Sequence, residues 1–127
     1  MKKNRAVFDS IIARQETGEP VFRDFVDWVA KDAPYGGYRF WAKPVKFDWP
    51  FVESHLSQLG LIMPFPHWQA FDVHSYIAGL RGEVGRTNIE REVEFRGSQH
   101  NALHDCAHQI DLLFHAKRSH VHAELVV

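Results

Sequence analysis

Residues 100–117 read HNALHDCAHQIDLLFHAK, and Leu103, Cys106, Ala107, Ile110, Leu113 and Phe114 recur there at three- and four-residue steps. That is the period of a helix burying one face, so the spacing predicts a helix docked on a core. Asn101 stands at the N-cap position, where its amide oxygen can accept from a free N–H of the first turn. His100 then lies just outside the helix and Asp105 just inside it. At about 100° per residue, Asp105 projects away from the Leu103/Ile110/Phe114 stripe, so the core does not require it.

Upstream, Phe8, Ile11 and Ile12 form a short helical stripe that closes near Gly18. Pro20 suits the first turn of a second helix, in which Val21, Phe22, Phe25, Val26, Trp28 and Val29 are apolar over more than half the circumference. A segment this apolar is expected to be buried on several sides. Ala33-Pro34-Tyr35-Gly36-Gly37 is a turn by content, and residues 38–42, aromatic and alternating, predict a strand that Pro44 ends. Residues 47–59 predict another helix, with Asp48 or Trp49 near the cap, Pro50 in the first turn, Phe51, Val52, His55, Leu56 and Leu59 facing inward and Gly60 closing it. After a connector, residues 68–74 predict a second strand that leads into a short helix over 75–80. From 81 to 99 the pattern lapses, and Ile89-Glu90-Arg91-Glu92-Val93-Glu94-Phe95 alternates as a solvent-facing strand or extended loop would. Residues 120–127 predict a tail that pairs weakly or frays. The order of elements indicates an α/β domain with only two or three strands.

Composition narrows the function classes. At 127 residues and 45% apolar, the chain suits one domain with a real core, 1–127. A formal net charge of −1 argues against tight non-specific binding to long nucleic acid. No run of eighteen apolar residues occurs, and the Met-Lys-Lys-Asn-Arg start leads into a broken, charged pattern, which predicts a soluble cytoplasmic protein with no membrane partner. The single cysteine, Cys106, falls on the apolar stripe and is expected to be a buried small thiol. His104, His108 and His115, with Asp111, share a helical face that can form a zinc stripe but is more often a solvated face.

Three separated segments carry a resemblance. Phe40-Trp41-Ala42-Lys43-Pro44-Val45-Lys46-Phe47-Asp48-Trp49-Pro50-Phe51-Val52, then Phe71-Asp72-Val73-His74-Ser75-Tyr76, then His100-Asn101-Ala102-Leu103-His104-Asp105, resemble the DEDD (DEDDh-type) superfamily of 3′-5′ exonucleases. The bacterial and phage exoribonuclease-like branch is the closest in look. The resemblance implies a ribonuclease H-like, proofreading-exonuclease-like fold and a site of two Mg²⁺ or Mn²⁺ ions acting on the 3′ end of RNA or DNA. Carried over by position, Asp48 and Asp105 are metal ligands and His100 is the base that activates water, while Asp72, near the start of a helix, is either structural or a support behind the metal ligands. Trp41, Trp49 and Phe51 are candidates for stacking on terminal bases, although aromatic core is the commoner use of such residues.

The front of the pattern is missing. The family's Asp-x-Glu belongs on a strand well before Asp48, and no Asp-x-Glu occurs in the chain. Two anionic ligands in place of four weaken binding of hard cations, so the chain alone is expected to be weakly active or inactive. The resemblance therefore implies a domain lacking its first antiparallel strands, with a second polypeptide or self-association covering the exposed sheet edge. Two alternatives are a catalytically dead relic that serves as a binding or assembly subunit and an HD-type metal phosphohydrolase built on the His104-Asp105 doublet.

Overall fold

The structure, a computed structural model, describes residue 9, residues 18–32 and residues 37–125. The predicted stripe around Phe8, Ile11 and Ile12, most of the turn at 33–37 and the last two residues lie outside that set. Two compact units divide the chain, with the boundary between Asp72 and Val73.

The first unit is built on a βαβ element. Helix α1, Gly18–Asp32, precedes strand β1, Phe40–Ala42; helix α2, Val45–Gln58, then carries the chain to strand β2, Ala70–Asp72. The strands are parallel, with Phe40 opposite Ala70, Trp41 opposite Phe71 and Ala42 opposite Asp72. Parallel strands need a crossover, and α2 supplies it while packing on both strands. Val29, Ala42, Leu56 and Phe65 are buried, and the Phe65 ring meets Phe25 and Phe40. α1 buries less than its composition predicts: Val29 is buried, whereas Val21 and Trp28 are exposed. One apolar edge of that helix, not most of its circumference, does the packing.

α2 begins two residues before the predicted start at 47. Its first N–H, that of Val45, donates to Oδ2 of Asp72 at 2.9 Å. The cap thus comes from the neighbouring strand, 27 residues away, and neither Asp48 nor Trp49 performs that role. Pro50 is consequently inside the helix rather than at its first position. At the other end Gly60 adopts φ 68°. There the Leu61 N–H donates to the Leu56 carbonyl at 2.8 Å and the Gly60 N–H to the Ser57 carbonyl at 3.0 Å, the two bonds of a Schellman motif. The predicted stop at Gly60 is therefore observed.

The second unit contains helix α3, Val73–Arg81, a 3-10 turn, Ile89–Arg91, and helix α4, Ala102–Leu125. α4 packs on α3 and on the 3-10 turn. Val73, Ile77, Ile89, Leu112 and Ala116 are buried, with Thr87 and His108 as the buried polar residues. The 89–95 run is neither a strand nor a free loop. Its turn inserts Ile89 into the core, and its carboxylates reach the helices: Glu90 meets His74, while Glu92 takes Arg81 Nη2 at 2.6 Å and His115 Nε2 at 3.0 Å.

α4 corrects the sequence reading most. The helix and its cap are as predicted, but the docked face is His108, Leu112 and Ala116, whereas Leu103, Ile110 and Phe114 are 76%, 53% and 57% exposed. Cys106 lies on that outer side and is exposed rather than buried. The stripe richer in apolar carbon is thus not the one that docks. The structure instead buries a histidine against the Phe95 ring, 4.8 Å between centroids, and a small alanine where helices approach closely. The C-terminal segment is helical through Leu125 rather than a fraying tail.

Candidate active site

The turn leading into α4 is held by backbone geometry and two side chains. Gly97 has φ 105° and His100 has φ 66°, while the Asn101 N–H donates to the Ser98 carbonyl at 3.2 Å. Asn101 Oδ1 then accepts from the N–H groups of Leu103 and His104 at 3.1 and 3.3 Å, so the predicted cap is formed. His104 closes the turn from the helix side, its Nδ1 accepting the Ser98 N–H at 2.9 Å. A backbone N–H can only donate, so His104 Nδ1 carries a lone pair. Gly97 lies so close that a Cβ there would sit 2.6 Å from the same nitrogen.

His100, outside the helix, is exposed and occupies the left-handed region that non-glycine residues enter uncommonly, with histidine among the better tolerated. Asp105 follows within the first turn and is half-buried. Seven residues separate it from Leu112, which places the two within about 20° of one another around the helix. Asp105 therefore belongs to the docked face of α4, and it points away from the Leu103/Ile110/Phe114 stripe because that stripe faces solvent.

Asp48 is half-buried in the first turn of α2, where Asp72 already serves the helix end. The other aromatic candidates differ in their engagement. Trp41 stacks on its cross-strand partner Phe71 at 4.9 Å, and Trp49 meets Phe40 edge-on at 5.4 Å. Both rings are taken up in packing. Phe51, expected to face inward with Leu56, is instead 57% exposed, because the docked face of α2 is the one that carries Leu56. Phe47, which the sequence reading passed over, is 67% exposed on the same side of α2; its four-residue spacing from Phe51 was the available signal.

Accounting for the carboxylates separates two of them from the rest. Six are half-buried among the described residues: Asp48, Asp72, Glu83, Glu90, Asp105 and Asp111. Asp72 caps α2, Glu83 meets Arg81 at 2.9 Å, Glu90 meets His74, and Asp111 meets Arg96 at 2.8 Å. Asp48 and Asp105 have no hydrogen-bond or ion-pair partner among the described residues. Each stands in the first turn of its helix, where the positive end of the helix dipole favours a negative charge, so the two are set apart from the rest by the absence of a side-chain partner.

The histidines of α4 do not form a metal stripe. His104 is tied to Ser98, His115 to Glu92, and His108 is buried rather than solvated. No group of three His, Cys, Asp or Glu side chains able to hold a metal ion occurs among the described residues. No described helix is long and apolar enough to cross a membrane.

No curated protein and no solved structure matches the chain. One family model does, and it covers residues 1–116, nearly the whole sequence and all three segments that carry the predicted site residues. The chain belongs to the family described as the 3′-5′ exoribonuclease Rv2179c-like domain.

Proposed function

We propose that this chain contributes part of a DEDDh-type 3′-5′ exonuclease site, with His100 as the base and Asp48 and Asp105 as the acidic ligands, on a ribonuclease H-like domain. The observation that carries the reading is the carboxylate accounting. The two half-buried aspartates without a partner are the two that the family pattern assigns to metal. His100 supports it independently, as an exposed histidine held at positive φ beside a helix whose cap is already satisfied. A neutral imidazole can take the proton from an attacking water.

Mg²⁺ or Mn²⁺ matches Asp48 and Asp105 in kind, since both offer hard oxygen donors. It does not match them in number. The 127 residues hold no Asp-x-Glu, and two carboxylates do not complete a centre of two cations. The chain thus contributes proton transfer and two acidic ligands, and the remaining carboxylates come from outside these 127 residues, as a second polypeptide would supply them. Hydrolysis by the chain alone is correspondingly slow.

The test is release of mononucleotides from a 3′-labelled oligoribonucleotide in Mn²⁺, with the deoxy analogue in parallel. The expected result is slow release that Asp105→Ala and His100→Ala abolish. Paramagnetic broadening of the Asp105 and Asp48 amide signals by Mn²⁺ reads ligation without turnover. Activity unchanged by both Asp48→Ala and Asp105→Ala removes the site assignment.

A further inference from the structure

Along α2, Phe47, Phe51 and His55 recur every four residues, and their rings stand in file. Phe47 and Phe51 are 6.3 Å apart with planes 14° from parallel, and Phe51 and His55 are 4.4 Å apart at 36°. Phe22 of α1 ends the row, 5.4 Å from His55 at 20°. His55 Nδ1 lies 2.8 Å from the Phe51 carbonyl, which can only accept, so that nitrogen carries the proton and fixes the ring in the row. The inner end of the file is supported by packing. The outer end, Phe47 and Phe51, is open to solvent.

The chemistry of this face selects a partner. Phe47 and Phe51, stacked on one another and more than half exposed, offer a continuous aromatic surface at the outer end of the file, which suits unpaired bases of any sequence. Lys46 precedes Phe47, is exposed, and makes no ion pair among the described residues, so a cation is available for the phosphate between stacked bases. A duplex has no free base faces to offer. We infer that the Phe47–Phe51–His55 file on α2 is a stacking platform for a single-stranded 3′ end, with Lys46 holding its backbone. The inference rests on the exonuclease reading and deepens it, because Asp48 follows Phe47 on the same helix.

The experiment measures binding without hydrolysis. Fluorescence anisotropy of a 5′-labelled oligouridylate, and of a blunt RNA duplex, is titrated with the full chain in EDTA at two salt concentrations. The expected result is preference for the single strand, loss of about tenfold in affinity for Phe47→Ala and for Phe51→Ala, and retention in Phe51→Tyr. Lys46→Gln lowers the salt slope by about one. Thermal melting within a few degrees of wild type confirms that the variants fold, as expected for exposed rings. No binding by the wild-type chain, or unchanged binding by the two alanine variants, overturns the platform. So does a shift from dimer to monomer in Phe47→Ala/Phe51→Ala with RNA binding intact, which identifies the face as a contact between copies. The readout separates the two readings: binding in EDTA bears on the platform alone, and only Mn²⁺-dependent hydrolysis and Mn²⁺ broadening bear on the site assignment.

Discussion

Replacing Leu112 by alanine and, separately, Ile110 by alanine tests which side of α4 is docked. The residues are two positions apart, similar in volume, and both apolar, so helix propensity and sequence context nearly cancel. Leu112 is 0% exposed, and its truncation removes fully buried carbon and leaves a cavity, which costs about 3–5 kcal/mol. Ile110 is 53% exposed. Full burial of such a side chain contributes about 1.5–3 kcal/mol, so truncating one that is half wet and leaves no cavity costs about 1 kcal/mol or less. Urea unfolding followed by circular dichroism gives both values in one buffer. The Leu112 variant should lose a large fraction of the roughly 5–15 kcal/mol typical of a domain, and the Ile110 variant should unfold near the wild-type midpoint with an unchanged slope. A larger loss for Ile110→Ala than for Leu112→Ala would refute the assignment and restore the stripe that periodicity alone favours.

Three further outcomes follow from the geometry. Gly97→Ala places a Cβ 2.6 Å from His104 Nδ1 at a φ of 105°, and the strain should cost about 1–3 kcal/mol by thermal unfolding, whereas Ser98→Ala should be nearly silent. Asp72→Ala removes the acceptor and the charge at the start of α2 and should cost about 1–2 kcal/mol, with Asp72→Asn recovering part of it; equal losses would mean that the carboxylate does not act through the Val45 N–H. The Arg81 guanidinium, and after it His115, hold the Glu92 carboxyl below its ordinary range. Its contribution is therefore complete above the ordinary carboxylate pKa and disappears as pH falls through the lowered value. Solvent screening keeps that contribution under about 1 kcal/mol, and the stability gap between wild type and Glu92→Gln should close in acid; a gap that widens there would reverse the sign.

What the sequence made legible was local. Asn101 announced the start of α4, Gly60 the end of α2, and the aromatic run at 38–42 the strand observed over Phe40–Ala42, because each signal is written within a few residues of its effect. What depended on distant partners stayed hidden. The start of α2 is set by Asp72, and no local rule places that carboxylate at Val45. The alternation at 89–95 suggested a solvent-facing strand or extended loop and carried no sign of the buried Ile89 or of the fastening by Arg81, His74 and His115. At the site, the spacing of His100 and Asp105 was visible in the motif. That Asp48 and Asp105 lack partners while Asp72, Glu90 and Asp111 have them emerges only when the ion pairs can be traced.

The position of Cys106 has a practical consequence. It is the chain's sole thiol, it stands in solvent, and its neighbour in sequence is Asp105. A fluorophore or spin label attached there reports from one known location on the outer side of α4, leaving Leu112 and Ala116 untouched. Distances from that label to a marked oligonucleotide can then chart the path of a bound strand without any engineered cysteine.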